Sequence, residues 1–85
     1  MEKESVEWFA KQMLKKLEEN INKRNWIRTS YDYLFNRMKE EVKELQELLL
    51  NDKVPYKHKK MITECANVAK YAMMIADKAN KESIY

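Results

Sequence analysis

The residues best suited to chemistry are carboxylates in two short stretches, "EEVKELQE" at residues 40–47 and "ECAN" at residues 64–67. Stepped at about 100° per residue, Glu41 lies roughly 70° from the centre of its helix's apolar stripe, Glu44 roughly 130°, and Glu40 and Glu47 roughly opposite. Glu41 is therefore the carboxylate nearest the core, and Glu44, three residues on, is the neighbour with which it can share a ligand. Glu64 and Asn67 repeat that three-residue spacing and, with Tyr71, Met74 and Lys78, form a flank beside the next helix's apolar side. Two helices offering oxygens at i and i+3 supply three or four ligands to a hard cation such as Mg²⁺ or Mn²⁺. The competing reading is a solvated face, because helix surfaces are rich in glutamate and pairs such as Glu40 with Lys43 suit water equally well. The pattern alone leaves both open.

The elements that must position these groups are helices. Glycine is absent, proline occurs once, and charged and aliphatic helix formers dominate the 85 residues, so strands and tight turns have little material. We read an all-α chain with three helices. The first spans about 3–22, with Val6, Phe9, Ala10, Met13, Leu17 and Ile21 on one stripe. The second spans about 31–50, capped by Thr29 or Ser30, with Leu34, Phe35, Met38, Val42, Leu45 and Leu49 as its stripe. "NDKVPY" ends it, since Pro55 disfavours helix at Val54. The third spans about 57–80. Its apolar side carries Met61, Cys65, Val68, Ala69, Ala72, Ile75, Ala76 and Ala79, and Ala66, Met73 and Met74 extend that surface most of the way round.

A helix apolar on several sides must be buried on several sides, and two helices of one chain cover about half of it. The expected architecture is thus a three-helix chain that assembles into a four-helix-bundle-type oligomer, a homodimer or homotetramer. At 85 residues the chain is one domain near the lower limit of independent stability.

The charge balance excludes more than it selects. Seventeen basic and 14 acidic residues give +3, far from the field of a dedicated nucleic-acid binder, and no recognition-helix signature is present. Nucleic acid is not the expected partner. The longest apolar run, Tyr71 to Ala76, is far short of the roughly 20 residues that span a bilayer. A lone cysteine, Cys65, and no signal-like apolar segment point to a reducing cytoplasm.

Around the carboxylates the sequence resembles the MazG-like, all-α nucleoside triphosphate pyrophosphohydrolase family, whose pattern is EExxE followed, after a variable linker, by ExxD. Glu40, Glu41 and Glu44 match the first part and Glu64 opens the second, with 19 residues between Glu44 and Glu64. "NWIRTSYDYLFNRM" looks like the tryptophan-containing entry to the first motif helix, and "NVAKYAMMIADK" like the tail of the second. The likeness covers about residues 20–80. It implies cleavage of a nucleoside triphosphate to the monophosphate and pyrophosphate, with Mg²⁺ or Mn²⁺ as cofactor. Carried over by position, Glu41, Glu44 and Glu64 are catalytic metal ligands, and Glu40 is an outer or alternative one. Asn67 stands where the family has Asp; its amide oxygen can ligate but brings no charge, so affinity and catalysis should be weakened, and a catalytically inactive nucleotide- or protein-binding module is the alternative.

Basic residues flank these motifs. Lys23 and Arg28 surround Trp26, and with Tyr71 and Lys78 they are the expected contacts to triphosphate and base. The plainer reading of Trp26 is a hydrophobic plug on the helix pair. Lys57, His58, Lys59 and Lys60 open the third helix as a second basic connector, either binding triphosphate as well or simply solvated. His58 has no partner at ligand spacing for zinc, and Cys65 reads as a small core residue.

Overall fold

The computed structural model describes residues 2–19 and 26–83, and among these it is all-helical. Helix α1 runs Glu2–Glu18, α2 runs Tyr31–Leu50 and α3 runs Lys57–Glu82. The second helix coincides with the expected one, and the third continues past residue 80. The first ends at Glu18, four residues before the expected limit; Ile21 and Lys23 lie outside the described residues.

Local chemistry sets these limits. Ser30 caps α2, its Oγ accepting from the Tyr33 amide at 3.1 Å, and Asp32 complements the dipole in the first turn. After α2, Asn51 Oδ1 accepts from the Lys53 amide at 3.1 Å, an Asx turn that leads the chain away. At the start of α3 the backbone of Tyr56 is left-handed, with φ 55° and ψ 38°, and no side chain caps the helix. That conformation costs a non-glycine residue about 1–2 kcal/mol.

Helix α3 is central and packs against both α1 and α2. It runs antiparallel to α2: Glu64 meets Glu41, the Tyr71 ring meets Arg37, and Lys78 meets Tyr31. The core is small. Leu34, Tyr71 and Met74 form it, with Leu17, Trp26, Met38, Met73 and Ile75 packed around them, and no described large side chain is completely buried.

The packed faces differ from the expected stripes. On α2 the residues turned towards the core are Leu34, Met38, Glu41, Leu45 and Leu48, a 4-3-4-3 seam rotated by roughly 50° from the expected stripe. Phe35, Val42 and Leu49 are instead 49%, 45% and 48% exposed. On α3 the inner side holds Ala66, Lys70, Tyr71 and Met74, while Ala72, Ala76 and Ala79 face outward. The reason is side-chain length. Burying the long Tyr71 and Met74 removes more apolar surface than burying three alanines. No described helix is long and apolar enough to cross a membrane.

Candidate metal centre

The seam on α2 places a carboxylate at its middle. Leu34 and Met38 lie on one side of Glu41 and Leu45 and Leu48 on the other, so the position would ordinarily hold an aliphatic side chain. Across the helix pair it faces Glu64, and Glu44 stands one turn further along α2. One oxygen from each of Glu41, Glu44 and Glu64 lies within 4.8 Å of the other two.

Two of these carboxyl groups have one oxygen shut away from water. Glu41 Oε2 and Glu64 Oε2 are both buried and have no hydrogen-bond partner. A buried acceptor left in that state is costly, and a buried charge more so. Burial first, then the neighbouring carboxyl groups of Glu44 and Glu64, raise the Glu41 pKa from 4.5 to about 7. Glu41 therefore retains its proton close to neutrality. Glu44 is exposed and forms the open side of the group.

The donor set fits a hard divalent cation. Carboxylate oxygens are the ligands that Mg²⁺ and Mn²⁺ prefer, and three of them on two rigid helices leave positions for water and a further ligand. A cation would satisfy both orphaned oxygens and offset the mutual repulsion.

Of the other residues expected at the site, Asn67 is half-buried, one turn beyond Glu64 on the inner flank of α3. Glu40 is exposed, ion-paired with Arg37, and stands apart from the three carboxylates. Its direction is about 100° from Glu41, which turns it to solvent.

The expected substrate contacts take different work. Tyr71 is 7% exposed in the core, with the Arg37 guanidinium 5.9 Å and the Lys70 ammonium 5.1 Å from its ring centre, and so is not free to stack on a base. Lys78 Nζ donates to the Ile27 carbonyl at 2.8 Å, pairs with Glu82 at 2.7 Å and lies 4.9 Å from the Tyr31 ring centre. Trp26 packs on the core and its Nε1 donates to Asp77 Oδ2 at 2.9 Å, which makes it the plug and not an open platform. Arg28 is exposed in the turn before α2. Asp77 is 13 residues from Glu64, about 20 Å along α3, so within one chain this cluster lies at the opposite end of the helix pair from the carboxylates.

Beside the triad lies a space that joins the second basic connector to the carboxylates, with Tyr56 and Thr63 the lining residues that the sequence did not single out. A cleft of about 670 Å³ at the α2–α3 turn is lined by Glu44 and Glu64 together with Tyr56, Lys59, Lys60 and Thr63. Its signal was present in the run of cations opening α3. Cations at a helix N-terminus oppose the dipole, and no acidic residue relieves them in that first turn.

Comparison with protein-family models, with curated proteins and with solved structures gives no match for this chain.

Proposed function

We propose that this chain is a divalent-cation-dependent nucleoside triphosphate pyrophosphohydrolase of the MazG-like kind, weakened by the neutral Asn67. One observation carries the reading. Glu41, at the centre of an otherwise apolar seam, meets Glu64 across the helix pair with a buried, unpartnered oxygen on each. Such an arrangement lowers the stability of the chain by itself and is relieved by a cation. The motif likeness at Glu40, Glu41, Glu44 and Glu64 then selects phosphoanhydride hydrolysis among the reactions that divalent cations support.

When bound, Mg²⁺ or Mn²⁺ supplies Lewis acidity, neutralises phosphate charge and lowers the pKa of a water. The chain's own residues do the positioning. Glu41 and Glu64 hold two oxygens fixed from opposite helices, and the packed seam keeps both rotamers in place. Glu44 offers a third from the open side, where a phosphate chain must enter. Asn67 can contribute its amide oxygen from the same flank, with one negative charge fewer than a carboxylate.

The same reading includes self-association. Phe35, Val42 and Leu49 recur at seven-residue spacing on the outer face of α2, and Ala72, Ala76 and Ala79 form a small-residue face on α3. Both suit close helix packing against another copy, as a homodimer or homotetramer. Hydrolysis of free nucleotides suits the reducing cytoplasm that the unpaired Cys65 also favours.

The test is pyrophosphate release from a panel of ribo- and deoxyribonucleoside triphosphates with Mg²⁺ and with Mn²⁺. Activity should disappear in Glu41→Ala and rise in Asn67→Asp. Silence of all three folded proteins would overturn the enzyme. The charge lost at Asn67 favours one second reading, a nucleotide-binding module without catalysis, which would then show as metal-dependent nucleotide binding without turnover.

A further inference from the structure

Resting on the metal-centre reading, we infer that the cleft at the α2–α3 turn receives the phosphate chain of a nucleotide on Lys59 and Lys60, with the Tyr56 ring covering the base.

The cleft and the carboxylate group share a wall. Glu44 and Glu64 line both, so a ligand seated in the cleft reaches whatever those carboxylates hold. The α3 side of the cleft also carries cations. Lys57, the first cation of α3, is engaged elsewhere, donating to the Leu49 carbonyl at 3.3 Å and pairing with Asp52 at 3.5 Å. Lys59 and Lys60 are exposed and form no ion pair among the described residues, although Lys60 stands one helical turn before Glu64. Two carboxylates and two ammonium groups thus border one space, with no ion pair between them among the described residues. A phosphate chain answers both, since its oxygens bond the ammonium groups and also complete the coordination of a divalent cation. A volume of about 670 Å³ suits a nucleotide-sized ligand.

Tyr56 adds a second kind of contact. Its backbone is in a left-handed conformation that glycine or asparagine would adopt more readily, and the residue is 81% exposed while lining the cleft. A strained and largely exposed aromatic residue on the rim of such a cleft is suited to stacking on a planar base.

The experiment is calorimetric titration of the full chain with inorganic pyrophosphate and with αβ-imido adenosine triphosphate, in Mn²⁺ and in EDTA. In Mn²⁺, the double variant Lys59→Ala with Lys60→Ala should bind pyrophosphate at least about tenfold more weakly, while its affinity for Mn²⁺ alone is unchanged or tighter, because two cations have left the neighbourhood. Tyr56→Gly should leave pyrophosphate binding unchanged, weaken the nucleotide analogue about fivefold, and melt at a higher temperature because the left-handed backbone is no longer strained. That combination separates stacking from a structural role. Unchanged pyrophosphate affinity in the lysine variant overturns the phosphate site, and an unchanged ratio of analogue to pyrophosphate affinity in Tyr56→Gly overturns the base contact. Failure of the natural protein to bind Mn²⁺ overturns the metal-centre reading alone. The EDTA titration then decides the cleft, with lysine-dependent pyrophosphate binding sustaining it and absent binding ending it.

Discussion

Glu41 sits where a leucine would serve the fold better, and that conflict is what gives the residue its meaning. Glu41→Leu should raise the melting temperature in EDTA, by about 4–8 °C for each kcal/mol gained in a domain of this size, because the seam becomes continuous and the like charges fewer. The same variant should lose all stabilisation by Mn²⁺. In the natural protein a concentration one hundred times the dissociation constant is worth about 2.7 kcal/mol, or about 10 °C or more. Thermal melts with and without Mn²⁺ check both; a lower melting temperature for Glu41→Leu in EDTA would show that the carboxylate supports the fold instead. The pH dependence follows from the raised pKa. Glu41 is protonated below 4.5 in both folded and unfolded chains and remains so up to about 7 only in the folded one. Its contribution to stability is therefore complete below pH 4.5 and is lost as pH rises towards 7 in the metal-free protein. Denaturant titrations in EDTA at pH 5 and pH 8 should show the loss.

At the scale of the element, the number and order of the helices were legible and their rotation was not. Periodicity placed α2 at residues 31–50 and identified Glu41 as the carboxylate nearest the core, since spacing fixes which residues share a face. It could not decide which part of a broad apolar arc meets the neighbour. Leu34, Phe35, Met38, Val42, Leu45, Leu48 and Leu49 span about 140° of α2, and α3 covers only the side with Leu34 and Leu48. On α3 the alanines misled, because small apolar residues read as core while the larger Tyr71 and Met74 are what the core holds. Lys78 and Trp26 were singled out as ligand contacts for their chemistry, but a cation and an indole serve equally as clamps. They tie the turn before α2 to the end of α3 through Ile27 and Asp77. The Trp26 hydrogen bond, then Lys81, lowers the Asp77 pKa, and Lys78, then Tyr31, lowers that of Glu82. This clamp is present above the ordinary carboxylate values of 3.8 and 4.5 and weakens as pH falls below them, the opposite sign to Glu41. Trp26→Phe removes the bond and keeps much of the packing. It should cost about 1 kcal/mol in denaturant titrations and leave Mn²⁺ affinity unchanged, as expected of a residue far from the carboxylates.

For the molecule as a whole, the small core and the apolar outer faces belong together. A chain of 85 residues with only four buried apolar side chains among those described has little stability in reserve, while Phe35, Val42 and Leu49 remain open on α2. Association would bury them and add the missing stability. The melting temperature should therefore rise with protein concentration, as it does when folding and assembly are linked. Phe35→Glu combined with Val42→Glu should abolish that dependence and give a monomer in sedimentation, with the α2–α3 seam intact. A natural protein that is monomeric, with a concentration-independent melting temperature, would remove the oligomer from the account. The sequence showed an excess of apolar surface but not which face carries it.

The central claim is that Glu41, Glu44 and Glu64 hold a divalent cation, and the most direct measurement is the Mn²⁺ dissociation constant of the natural protein and of Glu41→Gln, from about pH 5.5 to about pH 8. Because Glu41 must lose its proton to ligate, the natural protein's affinity should rise about tenfold per pH unit up to about 7 and then level. Glu41→Gln should be at least about tenfold weaker at pH 8 and nearly flat across the range. Equal affinity in the two proteins, with the same pH dependence, would contradict the claim and return these carboxylates to the ordinary charged surface of a helical bundle.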